Sequence, residues 1–573
     1  MQQKMKLSKF TILVVIFSSL ILASCKPVVQ TFQPIATTQP SATTQSEQTT
    51  EPEPTGNEQE PVEENPMGWW NEVVFYEIFV RSFKDSNGDG IGDFQGIISQ
   101  LDYLNDGDPA TTDDLGIGGI WLMPIMPSPS YHGYDVTDYQ AVNPDYGSLA
   151  DFRQLLEACH QRGIRVVIDF VINHTSSEHP WFISSQDPAS EYRNWYVWED
   201  SNPGKPGPWG QNSWYQANGS YYYAPFWSGM PDLNYNEPKV TEAIYDASKF
   251  WLDLGVDGFR VDAARYLFED DYSQQDTKGS IAWLQDWRNF YLEINPEAYT
   301  VGEVWTDTQV IAKYNQPTRG MQEYFMFDLA ADILGGIYSP DPSRIMKSYL
   351  DTLEYFPDQQ FATFLTNHDQ QRVASFFSEK LQREKLAAFV YLTGPGTPYI
   401  YYGEEIGMIG GKPDELIRKP MQWSANANAG FSSAKPWQEL AKGWEVTNVE
   451  TESADPVSLL NWYKTLVNTR NQLPALQKGS YLPFTSSCRR LYTVARVYED
   501  QVVLVMANLG VQTMENCTIS IEESPLAGDW KVESVLGEQL FEEINFAENG
   551  SITDFPVAPV LEGGQTMIFI LNK

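Results

Sequence analysis

Gly258-Phe259-Arg260-Val261-Asp262 is a short apolar run that closes on two opposite charges. Residues at i and i+2 of a strand emerge on one face, so Arg260 and Asp262 leave the end of a buried strand side by side. The pattern of apolar residues followed by a carboxyl or imidazole group recurs. It appears in Val301-Gly302-Glu303-Val304-Trp305, in Thr366-Asn367-His368-Asp369 and in Asp169-Phe170-Val171-Ile172-Asn173-His174. Strand-like runs at residues 73–80, 119–123, 165–171, 256–261, 299–304, 324–327, 361–365 and 398–402 alternate with helical stretches. Near-continuous hydrophobic strands separated by helices predict an α/β fold, a (β/α)8 TIM barrel whose strand C-termini form the functional face.

The flanking segments define the remaining domains. Residues 174–236 are dense in Trp, Tyr, Asn, Gly and Pro, and a loop of that length is seldom structureless. An inserted subdomain after strand 3 is expected there, with the barrel at 67–173 and 237–477. After a last helix near 456–472, residues 478–573 alternate apolar and polar, as at 491–497, 501–508 and 566–571. That period of two predicts a C-terminal antiparallel β-sandwich.

At the other end, Lys4, Lys6 and Lys9 precede an apolar run at 10–23 that is short for a membrane span. It closes on Leu22-Ala23-Ser24-Cys25, which resembles a bacterial lipobox. The expectation is a lipoprotein signal peptide at 1–24, lipidation at Cys25 and a chain anchored by lipid on the extracellular face of the bacterial cell membrane. An ordinary signal peptide cleaved nearby is the alternative. Residues 25–66, rich in Thr, Gln, Pro, Ser and Glu, cannot bury enough surface to offset their ordering entropy and read as a disordered stalk.

The formal net charge of −38 repels phosphate backbones and argues against nucleic acid as a partner, while leaving a neutral polymer open. Aromatic residues make up 14% of the chain, which suits stacking on sugar rings, although core packing accounts for most of them. Cys159 falls in an apparent helix at 152–162 and is expected as a buried thiol. Cys488 and Cys517 are able to pair in an exported protein, without the sequence deciding it, and no cysteine spacing predicts zinc. Nothing in the sequence forces an oligomer, and a monomer is expected.

Cleaving a glycosidic bond takes two carboxyl groups, one neutral to protonate the leaving oxygen and one ionised to attack or to activate water. The strand-end residues Asp262, Glu303 and Asp369 are the candidates. The fixed charge of Arg260 favours an ionised Asp262. Glu303, flanked on its face by Val301 and Trp305, stands in an apolar setting that suits an acid. Each carboxylate taken alone is also compatible with a structural ion pair.

The four strand-end strings, in this order, resemble the α-amylase family, glycoside hydrolase family 13, from about Trp69 to the C-terminus. The resemblance implies that Asp262 is the nucleophile of a retaining mechanism and Glu303 the general acid and then base. Asp369 would bind sugar hydroxyls beside the cleaved bond. His174 and His368, two of five histidines, would grip hydroxyls of the same sugar. In Tyr131-His132-Gly133-Tyr134-Asp135 the ring of Tyr134 would be its stacking platform, with His132 and Asp135 close by. Arg260 and Arg372 complete the expected substrate-binding set, Arg372 as a buttress of that subsite.

Asp85-Ser86-Asn87-Gly88-Asp89-Gly90-Ile91-Gly92-Asp93 puts oxygen side chains at alternate positions with glycine for a sharp turn, as a hard cation requires. The twelfth position is Gly96, so the bidentate glutamate of an EF-hand is missing. The string is closer to the calcium loop after the first strand in many members of the same family. That resemblance implies a structural calcium ion on Asp85, Asn87, Asp89, the carbonyl of Ile91, and Asp93; an Asx-rich turn without metal is the alternative. Arg265-Tyr266 stands where many α-amylases have Lys-His, whose histidine carbonyl joins the asparagine matching Asn173 at a second calcium site; a backbone ligand could survive the change, and the sequence does not decide on a second ion. Met230-Pro231-Asp232-Leu233-Asn234 resembles a subgroup between oligo-1,6-glucosidases and neopullulanases.

The expected activity is hydrolysis of α-1,4-glucosidic bonds in starch, glycogen and maltooligosaccharides. An exo-acting oligosaccharide α-glucosidase or a transglucosylase shares the chemistry up to a covalent glucosyl intermediate. A non-catalytic glucan-binding surface lipoprotein is the reading from another class, and the full set Arg260, Asp262, Glu303 and Asp369 argues against it.

Overall fold

The computed structural model describes residues 67–270, 272–316 and 318–573. The expected signal peptide, the lipidation site at Cys25 and the stalk through residue 66 lie outside them. Among the described residues no helix is long and apolar enough to cross a membrane.

Eight short buried strands carry the domain: β1 (Phe75–Ile78), β2 (Gly119–Leu122), β3 (Arg165–Phe170), β4 (Gly258–Val261), β5 (Tyr299–Gly302), β6 (Glu323–Tyr324), β7 (Ala362–Phe364) and β8 (Thr397–Tyr401). Neighbours pair in parallel from β1 through β6 and from β7 to β8. β8 returns to β1 with Tyr399 opposite Phe75, and a bridge between Phe325 and Ala362 joins the end of β6 to β7. The sheet is closed, and the (β/α)8 barrel predicted from the strand pattern is present.

Alternation along the strands decides what fills the barrel. Phe75, Trp121, Val167, Tyr299, Val301, Phe364 and Tyr399 form one apolar cluster inside it, with the Phe75 and Tyr399 rings stacked at 4.6 Å. Trp69 and Trp70 pack beneath on Tyr299 at 5.7 and 5.3 Å. Two residues beyond Phe75 and Val167 the same strand face carries Glu77 and Asp169. Two beyond Gly258 it carries Arg260. The polar site therefore stands on an aromatic floor. Gly258 itself allows a close approach: a Cβ there would lie 1.9 Å from the Tyr299 carbonyl oxygen on β5.

Two strands end earlier than their apolar runs predict. The run at 73–80 gives Phe75–Ile78 and then the helical turn Val80–Phe83, and the run at 324–327 passes into the helix Phe327–Tyr338. Short apolar runs do not distinguish a strand from the buried first turn of a helix.

After β3 the chain leaves the barrel. It builds the helix Pro180–Ser185 and a three-stranded antiparallel sheet of Trp198–Glu199, Trp214–Ala217 and Ser220–Tyr223, then returns through the helix Pro238–Leu254 to β4. Beyond the helix Leu459–Gln472, two antiparallel sheets enclose a second core built from residues such as Leu504, Phe569, Ile519 and Leu561. This is the C-terminal β-sandwich. Cys488 and Cys517 are joined in a disulfide within it, and Cys159 is a buried free thiol in Leu149–His160. Arg496 of the sandwich is buried and donates to the carbonyls of Thr393 and Gly479, which docks the sandwich on the barrel.

Candidate active site

Asp262 directly follows β4, Glu303 directly follows β5, and Asp369 lies a few residues beyond β7. All three line one cleft of about 700 Å³ at the C-terminal rim, together with His132, Tyr134 and His174. Arg260, almost fully buried, ties the group together. Its Nη1 donates to Asp262 Oδ1 at 2.8 Å and to the two Asp169 oxygens at 3.0 and 2.9 Å, and its Nη2 donates to Glu303 Oε2 at 2.6 Å. Ala263, next to the first carboxylate, adopts φ of 50°, a left-handed conformation rare for a residue with a Cβ. Its N–H reaches Glu303 Oε2 at 3.4 Å. Local strain of this kind persists where the surroundings over-determine it.

The carboxyl groups differ in protonation. Burial pushes Glu303 up to about 8, and the charge of Arg260 offsets this only in part because Asp262 and Asp369 add to the rise. Burial also works against the charge of Asp369, but its neighbours, His368 and the guanidinium groups of Arg418 and Arg260, outweigh it and hold that carboxyl below the usual carboxylate range. Arg418 Nη2 donates to Asp369 Oδ1 at 2.7 Å. The site thus holds one acid that keeps its proton near neutrality and one carboxylate that does not.

The remaining predicted residues fall into two groups. His132, Tyr134 and His174 face the cleft, and His174 Nε2 is buried without a hydrogen-bond partner. His368 and Asp135 lie just behind. His368 Nε2 is 2.7 Å from the Tyr134 hydroxyl, and Asp135 accepts from Ser128 and Ser130 beside His132. Arg372 does not reach the cleft. Its guanidinium donates to the carbonyls of Tyr402 and Ile417 at 2.7 Å and lies over the Tyr401 and Tyr402 rings. It braces the backbone next to Arg418, and Arg418 is the arginine that touches a catalytic candidate.

Several site residues went unread in the sequence. Arg418 sits in a loop after β8 with no periodic signal, and Glu77 looks like one polar residue inside an apolar strand. Trp209, Phe226 and Tyr266 meet as an aromatic cluster on the insert side of the cleft, with ring centroids 5.3 to 5.5 Å apart. Trp227 and Trp305 line the same cleft. Their number in the sequence was visible, but convergence from 209, 226, 266 and 305 was not.

Comparison with known proteins agrees with this geometry. Residues 77–479 match the α-amylase catalytic domain. The chain is 39% identical to α-amylase 3 of Dictyoglomus thermophilum over 80% of its own length and 89% of that protein. It is 34% identical to a probable oligo-1,6-glucosidase of Bacillus subtilis, over 77% and 90% of the two chains. Among solved structures it is similar to the α-amylase from H. orenii, at 38% identity and a TM-score of 0.76 over 87% of this chain and 99% of that one. It is also similar to a trehalulose synthase of Pseudomonas mesoacidophila, at 28% identity and 0.74 over 88% and 100%. With its barrel, its rim of three acidic residues and these relatives, the chain belongs to the α-amylase family, and it is a glycoside hydrolase.

Proposed function

We propose that this enzyme is an endo-acting, retaining α-amylase that hydrolyses α-1,4-glucosidic bonds in starch, glycogen and maltooligosaccharides. The observation that carries the reading is an aromatic wall extending the cleft beyond its carboxylates. Trp209 and Trp227 from the insert and Trp305 after β5 line the cleft while remaining 56%, 51% and 45% exposed. Tryptophan faces left in water beside a catalytic cleft suit the stacking of further sugar rings, as a polymer supplies. The likeness to an oligo-1,6-glucosidase and a trehalulose synthase favours the second reading, an exo-acting α-glucosidase or a transglucosylase.

In the proposed reaction Glu303 protonates the glycosidic oxygen while Asp262 attacks the anomeric carbon and forms a glucosyl ester. Glu303, now ionised, takes a proton from water, the resulting hydroxide equivalent opens the ester, and the proton restores the acid. Asp369 and its neighbours hold sugar hydroxyls, a contact that tightens as the ring flattens toward the oxocarbenium form. Tyr134 supplies the face beneath the sugar.

The proposal includes a structural calcium ion on the loop 85–93. Asp85, Asn87, Asp89, the Ile91 carbonyl and Asp93 offer an all-oxygen donor set of the right chemistry. In the structure these side chains accept N–H groups of their own loop, and no cluster of three acidic, histidine or cysteine ligands is assembled among the described residues. A second oxygen set lies where the barrel meets the insert. Asn173 Oδ1 and Asp232 Oδ2 are buried without partners, and burial and mutual repulsion raise the carboxyl of Asp232 beside Glu269. A cation held there would use Asn173 and Asp232. Lipid anchorage through Cys25 rests on the Leu22-Ala23-Ser24-Cys25 string alone. A Cys25→Ser chain exported by a bacterium should leave the membrane fraction, and its retention there would rule the anchor out.

Three outcomes check these readings. On a long maltooligosaccharide blocked at its non-reducing end, the enzyme should release internal fragments, and Trp209→Ala should raise KM several-fold for long substrates with little effect on short ones; inactivity on the blocked chain would favour the exo reading. The acid form of Glu303 exists below its raised pKa and is lost above it, so kcat/KM should fall as pH rises through about 8. A rate undiminished well beyond that point would exclude Glu303 as the proton donor. Chelation should lower the melting temperature and calcium restore it, with the response abolished by Asp89→Ala if the loop binds, or by Asp232→Asn if the junction does; a melting temperature indifferent to chelator would contradict both.

A further inference from the structure

Glu77, on β1, is one of the most buried acidic side chains, at 2% exposure, and the reaction described above does not use it. Its Oε1 lies 2.6 Å from Nδ1 of His368. On the other side of the imidazole, Nε2 is 2.7 Å from the Tyr134 hydroxyl and 3.3 Å from Asp369 Oδ2. The Tyr134 hydroxyl is in turn 3.1 Å from Asp169 Oδ2, and Asp169 is gripped by Nη1 of Arg260. An unbroken chain of hydrogen bonds therefore runs from Glu77 to the guanidinium that holds Asp262 and Glu303.

Such a chain has two possible directions. A tyrosine carries one hydroxyl proton and a neutral imidazole one N–H. If Asp169 is ionised, Tyr134 donates to it, His368 donates from Nε2, and the bare Nδ1 needs a proton from Glu77. If Glu77 is ionised and the imidazole stays neutral, every bond reverses and Asp169 must carry the proton; an ionised Glu77 against an imidazolium would put an N–H on both ring nitrogens. Two neighbours decide between them. Asp169 faces a guanidinium at 2.9 Å, whereas the salt-bridge contact of Glu77 among the described residues is His368 and not a lysine or arginine. Asp369, ionised beneath Arg418, stands beside Nε2, where an N–H is favourable and a lone pair is not.

We propose that Glu77 is a positioning residue that, as the neutral acid, donates to Nδ1 of His368, fixes the Nε2–H tautomer and leaves Asp169 ionised to hold Arg260. Burial holds Glu77 well above the usual carboxylate range and His368 well below the usual imidazole range, in keeping with a neutral pair; burial lifts Asp169 as well, to about 7 with Arg260 offsetting part of it, so Asp169 is the ionised partner above that pH. The tautomer determines what the sugar meets. With Nε2–H, His368 keeps Asp369 and Tyr134 oriented at the floor of the cleft. With Nδ1–H it would turn a lone pair on Asp369 and take from Arg260 its ionised anchor.

The inference rests on reading this cleft as the catalytic site, so its test includes a measurement on resting enzyme that needs no substrate. In protein labelled with 15N at its five histidines, with His368 assigned by its absence in His368→Asn, the spectrum should show Nε2–H. Glu77→Gln should keep that tautomer, because an amide N–H also donates to Nδ1, and should retain most of kcat. Glu77→Met should lose the tautomer and lower kcat on the order of tenfold to a hundredfold with KM changed little. Nδ1–H in the unaltered enzyme would overturn the proposal. So would a Gln variant as impaired as the Met variant when both melt like the parent. Should the Met variant fail to fold, the tautomer in the parent and Gln proteins still decides.

Discussion

Arg260 places a full positive charge, almost without solvent, at the end of β4, and Asp169, Asp262 and Glu303 all close on it within 2.6 to 3.0 Å. A buried charge is tolerated only when paired, and one guanidinium cannot neutralise three carboxylates that close on it in a mostly buried site. At least one of them must keep a proton near neutrality. Glu303, pushed up to about 8, is the one that does so next to the cleft, and that is the state a general acid requires. In the proposed reaction Arg260 therefore fixes the spacing of Asp262 and Glu303 and divides their roles.

The barrel makes this pairing possible by register. Arg260 on β4 lies opposite Asp169 on β3 and Val301 on β5, so Asp262 and Glu303 emerge one step beyond the last paired residues. Beneath them the stacked Phe75, Tyr299 and Tyr399 rings give a buried aromatic floor. Low polarity there strengthens each electrostatic contact above it and makes any unpaired group costly. The insert and the loops beyond β5 and β8 then add what the strands cannot: aromatic faces on one side, and Arg418 against Asp369 on the other.

Much of this was legible in the sequence because it follows from local pattern. A strand of period two that ends in Arg-Val-Asp must put both charges on one face, and Asp262, Glu303 and Asp369 each close or follow an apolar strand-like run. Legibility failed where position depends on contacts between distant segments. Arg372, expected to buttress the sugar subsite, donates to the Tyr402 and Ile417 carbonyls beside Arg418, and it is Arg418, unmarked in the sequence, that reaches Asp369. Glu77 carries no signal in its own strand, since its meaning comes from His368, 291 residues away. The disulfide between Cys488 and Cys517 and the helical start at Phe327 were similarly set by tertiary packing.

The relatives differ in what their names say they act on. What this account requires of the carboxylates is a covalent sugar on one particular oxygen. The direct measurement is to trap the enzyme with a slowly turning over fluorinated α-glucosyl fluoride, digest it and locate the label by mass spectrometry. The account predicts one hexosyl adduct, on the peptide carrying Asp262. A label on Glu303 or Asp369, or release of β-configured sugar with no adduct formed, would contradict it.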